Sequence, residues 1–347
     1  MKARKTIAIS ILALSLAVTV GFALLWLQDN KLPNFKEEYN LYVRPGMTAD
    51  DVRAELSAVA RHPASLKRAF RSKQVHNYLK CGHFVVRPSH SSVYVARMLN
   101  NGWQTPVKLT LSGSLRLRGE IASRIASQMM MDSTEVRAAM EDKELLACFG
   151  VTPETVFSLF VPDTYEVFWT DSMRDIFSRQ KKALDNFWTQ DRQAKAAALG
   201  LSRMQVAVLA SIVRSESYHE SEYPSVASVY RNRLRKGMKL QACPTVMFLY
   251  DFTLNRLLKS HIQAKKDSPY NTYTHFGLPP APICVPSKAS LDAVLNPAGE
   301  EYLYFCADSR FNGYNVFSKT YAEHCRKARE YQKAFNERQK ARQQASK

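Results

Sequence analysis

SRMQVAVLASIVRSESYH (residues 202–219) reads as a helix that runs into a protein core. Ser202 is a good N-cap, because its side-chain oxygen can accept from the free backbone N–H groups of a first turn. Val206, Leu209, Ile212 and Val213 recur at helical spacing, which predicts a helix over 203–218. Counting on from Leu209 and Val213 lands on Glu216. A carboxylate on that rung is desolvated, and desolvation lifts its pKa above the usual value of about 4.3. A carboxylic acid that stays protonated near neutral pH can donate to a leaving oxygen, which glycosidic-bond cleavage requires. The plainer reading is a helix-end glutamate that reaches water or pairs with Arg233 or Arg235.

The residues after this helix favour the chemical reading. Glu220 and Glu222 come first, then a second helix over 225–236 that carries Asn232 and Arg233 and stops at Gly237. LQACPT (240–245) and DSPYNTYTHFGLPP (267–280) add amides, hydroxyls and tyrosine faces. Such groups bind sugars, with rings stacked on aromatics and hydroxyls bonded by amides. Residues 263–286 hold five prolines and predict an ordered irregular loop. YLYFCA (302–307) and YNVF (314–317) read as paired strands around a turn at Asn312–Gly313. His219 and His275 read as structural histidines rather than ligands or bases.

Upstream, residues 6–27 carry no charge, and 22 helical residues span ~33 Å, enough for a bilayer core. Lys2, Arg4 and Lys5 precede the segment, and mixed charges follow it. The positive-inside rule then leaves residues 1–5 as a cytoplasmic tip and everything after the helix outside. The rival reading is a cleaved signal peptide, against which stand the length of the segment and the lack of a small-residue cleavage site before Asp29. Residues 28–38 read as a polar linker. VRPGMTADDVRAEL (43–56) and VRPSHSSVYVARML (86–99) share Val, Arg, Pro, Val and Leu at corresponding positions, a weak repeat. Each copy reads as a strand end, a proline turn, a Thr or Ser cap and a short helix, which suggests a compact binding module over 39–110. VKLTL (107–111) alternates as a strand, and 119–201 reads as mainly helical with breaks at 150–153 and 161–164.

The formal charge of +18 over 347 residues favours an anionic partner, partly through the basic tail. A nucleic-acid partner would need the basic domain on the cytoplasmic side, against the predicted topology. Six cysteines outside the membrane allow disulfides, while buried thiols explain them equally well. No clustered Cys/His spacing and no HExxH motif points to a metal site.

The stretch ASIVRSES…VASVYRNRLRKGMKLQACPTVMF…DSPYNTYTHFGLPPAPICVP…LNPAGEEYLYFCAD resembles the YceG-like family, the MltG-type endolytic murein transglycosylases. LFVPDTYEVF (159–168) is similar to the family's LFPDTY segment. The resemblance covers almost the whole chain. It implies an α+β protein with a single transmembrane helix, a small LysM-like α/β module over 39–110, a catalytic domain over 111–335 and a basic tail over 336–347. It also implies cleavage of the β-1,4 bond between N-acetylmuramic acid and N-acetylglucosamine, with 1,6-anhydro ends and no cofactor. Glu216 then corresponds to the family's catalytic acid. Glu222, Asn232, Arg233, Gln241, Pro244, Thr245, Tyr270, Asn271 and Tyr273 match motif positions that line or brace the cleft. The family helix carries two glutamates, and the first is Arg214 here, so that position is dispensable. Cys243 stands where an Asp is common, and Asn315 where a His is common. The implied setting is the cell inner membrane with an extracytoplasmic catalytic domain, acting on nascent peptidoglycan beside peptidoglycan synthases and terminating strand growth. Two other readings remain: a membrane-tethered peptidoglycan-binding protein without activity, and a muramidase-type hydrolase that pairs Glu216 with Glu222.

Overall fold

The structure, a computed structural model, describes residues 2–113 and 115–345. It is mixed α+β, as the sequence implies. Helices dominate, and the strands form three two-stranded sheets among the described residues. Helix α1 (Lys2–Asn30) contains a 22-residue apolar stretch, Ile9–Asn30, long enough to cross a membrane and with its large apolar side chains exposed. The chain separates into two compact units.

The first unit runs β1 (Tyr39–Val43), α2 (Ala49–Val59), α3 (Pro63–Ser72), α4 (Val75–Tyr78), β2 (Gly82–Val86) and α5 (Ser92–Asn101). The predicted repeat is visible in it. Val43 ends β1 and Val86 ends β2, while Thr48 caps α2 and Ser91 caps α5. Each cap accepts from a backbone N–H at the third helical position, which satisfies a donor the helix cannot. The strands pair antiparallel, with Tyr39 opposite Val86 and Val43 opposite Gly82. Leu41, Leu56, Leu66, Phe84 and Leu99 meet in the core.

Residues 28–38, read from sequence as a polar linker, are packed against the first unit. Gln28–Asn30 continue α1, and Arg68 clamps Asp29 with two hydrogen bonds of 2.7 and 2.9 Å. Phe35 is fully buried, and Asn34 is fixed by His62 and Ser92. One aromatic and one amide suffice to pull a polar stretch into the unit, because both find complete partners there.

Strand β3 (Val107–Leu111) pairs with β4 (Asp163–Val167), which occupies the stretch read from sequence as a helix break. The second unit adds α6 (Arg118–Ala126), α7 (Ser133–Ala139), α8 (Lys143–Ala147), α9 (Met173–Phe187) and α10 (Gln190–Ala198). After α11 (Arg203–Glu216) come α12 (Tyr223–Arg235), α13 (Cys243–Phe248), α14 (Lys259–Ala264) and α15 (Lys288–Leu295). The antiparallel hairpin β5 (Tyr304–Ala307) and β6 (Asn315–Ser318) precedes α16 (Tyr321–Ala345). The tail read over 336–347 continues α16 as far as Ala345; residues 346 and 347 lie outside the described residues.

Helix α11 is the axis of this unit. All eight residues from Val206 to Val213 are buried, so the helix is enclosed on every side rather than striped. It packs on α12, α13 and α15, and Val226, Tyr230, Leu240, Ile283 and Leu291 complete the core around it. The proline-rich strap beyond α14 lies along α11. Ile283 N donates to Ser211 Oγ at 3.1 Å, and Arg214 Nη1 donates to Val285 O at 2.9 Å. Arg214 is held by backbone carbonyls. It ties the strap, and also the carbonyl of Gly113, to the helix. All six cysteines are free, and Cys284 is buried against α11.

Candidate active site

Helix α11 ends on Glu216, where the enclosed core opens to the surface. The side chain is partly exposed, yet the protein packed about its carboxyl disfavours the charged form and raises the pKa to about 7. Two groups oppose that shift. Tyr230 Oη donates to Glu216 Oε1 at 2.5 Å, and the Arg233 guanidinium lies close enough to favour the carboxylate. Tyr230 is buried, and its phenol stays protonated because its pKa is raised well above 10 by burial and by the neighbouring carboxylate. It is therefore a fixed donor. Its bond occupies Oε1, and Oε2 makes no hydrogen bond to the described residues.

Cys243 and Tyr273 complete the surroundings. The thiol and the phenol are 3.0 Å apart, and the Cys243 pKa is raised by burial and then by Glu216. The Tyr273 pKa is raised too, first by burial, so its phenol is also neutral. Glu216 thus sits among neutral hydroxyl and thiol groups, with one buried arginine behind them. That arginine is held by carbonyls: Arg233 Nε donates to Leu303 O at 2.7 Å and Nη1 to Leu240 O at 2.5 Å.

Glu222 has a different environment. It is buried, and its carboxylate accepts from Ser217 Oγ at 2.6 Å, Asn315 N at 2.6 Å and Asn315 Nδ2 at 2.9 Å. Ser217 Oγ in turn accepts from His219 N. The turn that follows Glu216 is thereby latched to the first residue of β6. Asn315 serves as the double donor of this latch. His219 stacks on Tyr314 at 3.9 Å with rings 2° from parallel, as fits the structural role read from sequence. Gly313 permits the approach: its φ is +83°, and a Cβ there would lie 2.9 Å from His219 Nε2.

The other sequence-predicted residues are mostly engaged in hydrogen bonds within the fold. Asn232 Nδ2 donates to the carbonyls of Glu300 and Tyr302. Thr245 is buried and bonds Ala242 O and Thr272 Oγ1. Asn271 is buried and donates to Ile262 O and Lys265 O, while its Oδ1 accepts from Tyr273 N. Gln241 is exposed, with a left-handed φ of 49°. Tyr270 packs on Phe248 and lines a cavity that Glu216 does not line. Of the residues predicted around the acid, Arg233 and Tyr273 lie in its electrostatic surroundings. Sequence reasoning missed Tyr230. Its signal was its place on the buried face of α12 with Val226 and Arg233, since a buried tyrosine needs a partner for its hydroxyl. It also passed over Tyr218, two residues past the acid and 91% exposed. Among the described residues no cluster of three or more His, Cys, Asp or Glu side chains is arranged to hold a metal ion.

A sequence model of the YceG-like family matches residues 41–330. The chain belongs to the YceG-like family. A YceG-like protein of known structure, from Listeria monocytogenes, superposes with a TM-score of 0.56 at 26% identity, covering 84% of this chain and 98% of that one. The endolytic murein transglycosylase of Bacillus subtilis (strain 168) is 30% identical over 234 residues, 63% of this YceG-like chain and 64% of that protein. The proteins of that name from Streptococcus pneumoniae strains D39 and R6 are 23% identical over 340 residues, 88% of this chain and 61% of theirs. The chain thus spans somewhat less than two thirds of the length of these curated relatives.

Proposed function

We propose that the protein is a membrane-anchored endolytic lytic transglycosylase that cuts the β-1,4 bond between N-acetylmuramic acid and N-acetylglucosamine in nascent peptidoglycan. The observation that carries this reading is Glu216, a carboxyl with a pKa of about 7 at the open end of a buried helix. Such a group can act as both acid and base at neutral pH. The names of the curated relatives support the substrate class.

In this mechanism Tyr230 holds Oε1, and the proton on Oε2 passes to the bridging glycosidic oxygen. The C1–O bond breaks, and the acetamido group of the same sugar stabilises the oxocarbenium-like centre. Glu216, now a carboxylate, removes the proton of the muramyl C6 hydroxyl while that oxygen bonds to C1. The product carries a 1,6-anhydro ring, no water is consumed, and Glu216 ends protonated as it began. A single protein carboxyl suffices because the substrate supplies the nucleophile, as substrate-assisted glycosidases illustrate. The three hydrogen bonds on Glu222 favour a bracing role over that of a second catalytic carboxylate, which counts against the muramidase reading. Asn232, Arg233, Thr245 and Asn271 act as braces in this scheme, and Gln241, Tyr270 and Tyr273 as substrate contacts.

The apolar helix fits a membrane anchor. With Lys2, Arg4 and Lys5 on the cytoplasmic side, everything after the apolar helix lies outside the inner membrane, near newly made strands whose growth the cut would terminate. A peptidoglycan synthase is then a natural partner, and the unit built on β1 and β2 a LysM-like positioning module. Mass spectrometry of fragments from purified sacculi tests the chemistry. The native chain releases anhydro-ended muropeptides, and Glu216→Gln lowers their yield by ~10²–10⁴. Hydrolytic reducing ends, or undiminished release by Glu216→Gln, would overturn this assignment.

A further inference from the structure

The second unit carries a cavity of about 750 Å³ that the acid does not line. Its floor is aromatic, made by Phe157, Phe248 and Tyr270. Its lining holds charges of both signs: Arg118 and Arg137, and Glu120, Glu141, Glu154 and Asp251. Among the described residues none of these six forms an ion pair within 4.0 Å, and Glu120 accepts from the backbone N–H groups of Arg116 and Leu117. The side chains of Arg137, Glu141 and Asp251 make no hydrogen bond there either. Arg118 spends Nη2 on the carbonyl of Pro153, while its Nε is buried without a partner. Cations and anions without close ion pairs around an aromatic lining suit a ligand that brings ammonium, carboxylate and apolar atoms together.

Two elements join this cavity to the acid. Helix α13 begins at Cys243, whose thiol feels the charge of Glu216, and ends at Phe248 in the cavity floor. That separation is about 7.5 Å along the helix at 1.5 Å per residue. The turn anchored by Asn271 repeats the relation, with Tyr270 in the floor and Tyr273 against Cys243. A strand held at Glu216 thus has the cavity within reach of its side branches. We infer that this cavity recognises the peptide branches of the cell-wall polymer, short peptides bearing free ammonium and carboxylate groups. The inference rests on the proposed murein substrate and names the part of it that this second site would read.

Titration calorimetry on the full-length chain in detergent tests it, with Glu216→Gln used to prevent turnover. The probe is a synthetic tetrapeptide with a free lysine ammonium and a free C-terminal carboxylate; its doubly blocked form is the control. Saturable binding of the free peptide is expected, at least tenfold weaker for Arg137→Glu and, separately, for Glu141→Lys. Both positions are exposed, and an unchanged circular dichroism spectrum checks folding; Asp251→Asn serves if either variant fails it. No binding, or binding equal for the blocked peptide or the charge-reversed variants, overturns the inference. Failure of the native chain to cut sacculi is a separate result. It would remove the proposed activity even if the peptide binds, whereas cutting without peptide binding would remove the cavity assignment alone.

Discussion

Glu216 gathers opposing influences on one carboxyl, and each can be shifted separately. Burial raises its pKa to about 7, so the protonated fraction, and with it kcat/KM, falls as pH rises through that value. Tyr230→Phe removes a group that lowers the pKa. The alkaline limb of the pH–rate profile then moves to higher pH, and the rate drops on the order of tenfold, near the value of one hydrogen bond to a charged group. An unmoved limb would show that Tyr230 does not bond the reacting carboxyl. The same shift has a consequence for stability. The folded chain binds this proton more tightly than the unfolded chain, whose carboxyl has the ordinary value of 4.5. The favourable contribution is full below about pH 4.5 and is lost as pH rises to about 7. Gln cannot titrate, so Glu216→Gln gains on the native chain by about 3 kcal/mol between pH 4 and pH 8, readable by urea denaturation at each pH. At this scale the position of the acid was legible, because an apolar spacing of three and seven residues ends on it. Its tyrosine donor was not, because Tyr230 belongs to the next helix and meets Glu216 only through packing.

Among the elements, the hairpin β5–β6 and the end of α11 depend on one latch. Glu222 faces three donors. Glu222→Gln would turn an amide N–H toward at least one of them, leaving donor against donor at a buried site. A loss of about 1–3 kcal/mol in urea denaturation is expected. Residual cutting should still yield anhydro ends, since the acid is untouched; reducing ends would restore Glu222 as a catalytic group. Gly313→Ala tests the same junction from the other strand. Its left-handed φ and the approach to His219 predict a further loss of about 1–2 kcal/mol, measured the same way. Sequence reading found both strands and their turn, since alternation and Asn-Gly are local signals. The capping residues Thr48, Ser91 and Ser202 were legible for the same reason. It misjudged β4, whose strand character comes from pairing with β3 across more than fifty residues of chain.

On the scale of the whole molecule, the apolar helix passes into the first unit without a flexible joint, because Arg68 holds Asp29 at its end. Arg68→Ala should raise amide hydrogen exchange over residues 28–34 while leaving the exchange of β1 and β2 unchanged. Unchanged exchange at 28–34 would mean that the clamp does not hold the helix end. Removing residues 1–27 should release the chain from the membrane fraction on cell lysis. The class of the protein, its apolar helix, its helix starts, its hairpin and the carboxyl at the end of α11 were all decided by the sequence itself, because each is written in residues a few positions apart. Which residues hold Glu216, which groups bond one another around it, that residues 28–38 are packed, and that a charged cavity lies at the end of α13 were decided only by the tertiary structure. Those facts depend on groups far apart in the chain sharing one desolvated space, and no local spacing encodes that encounter.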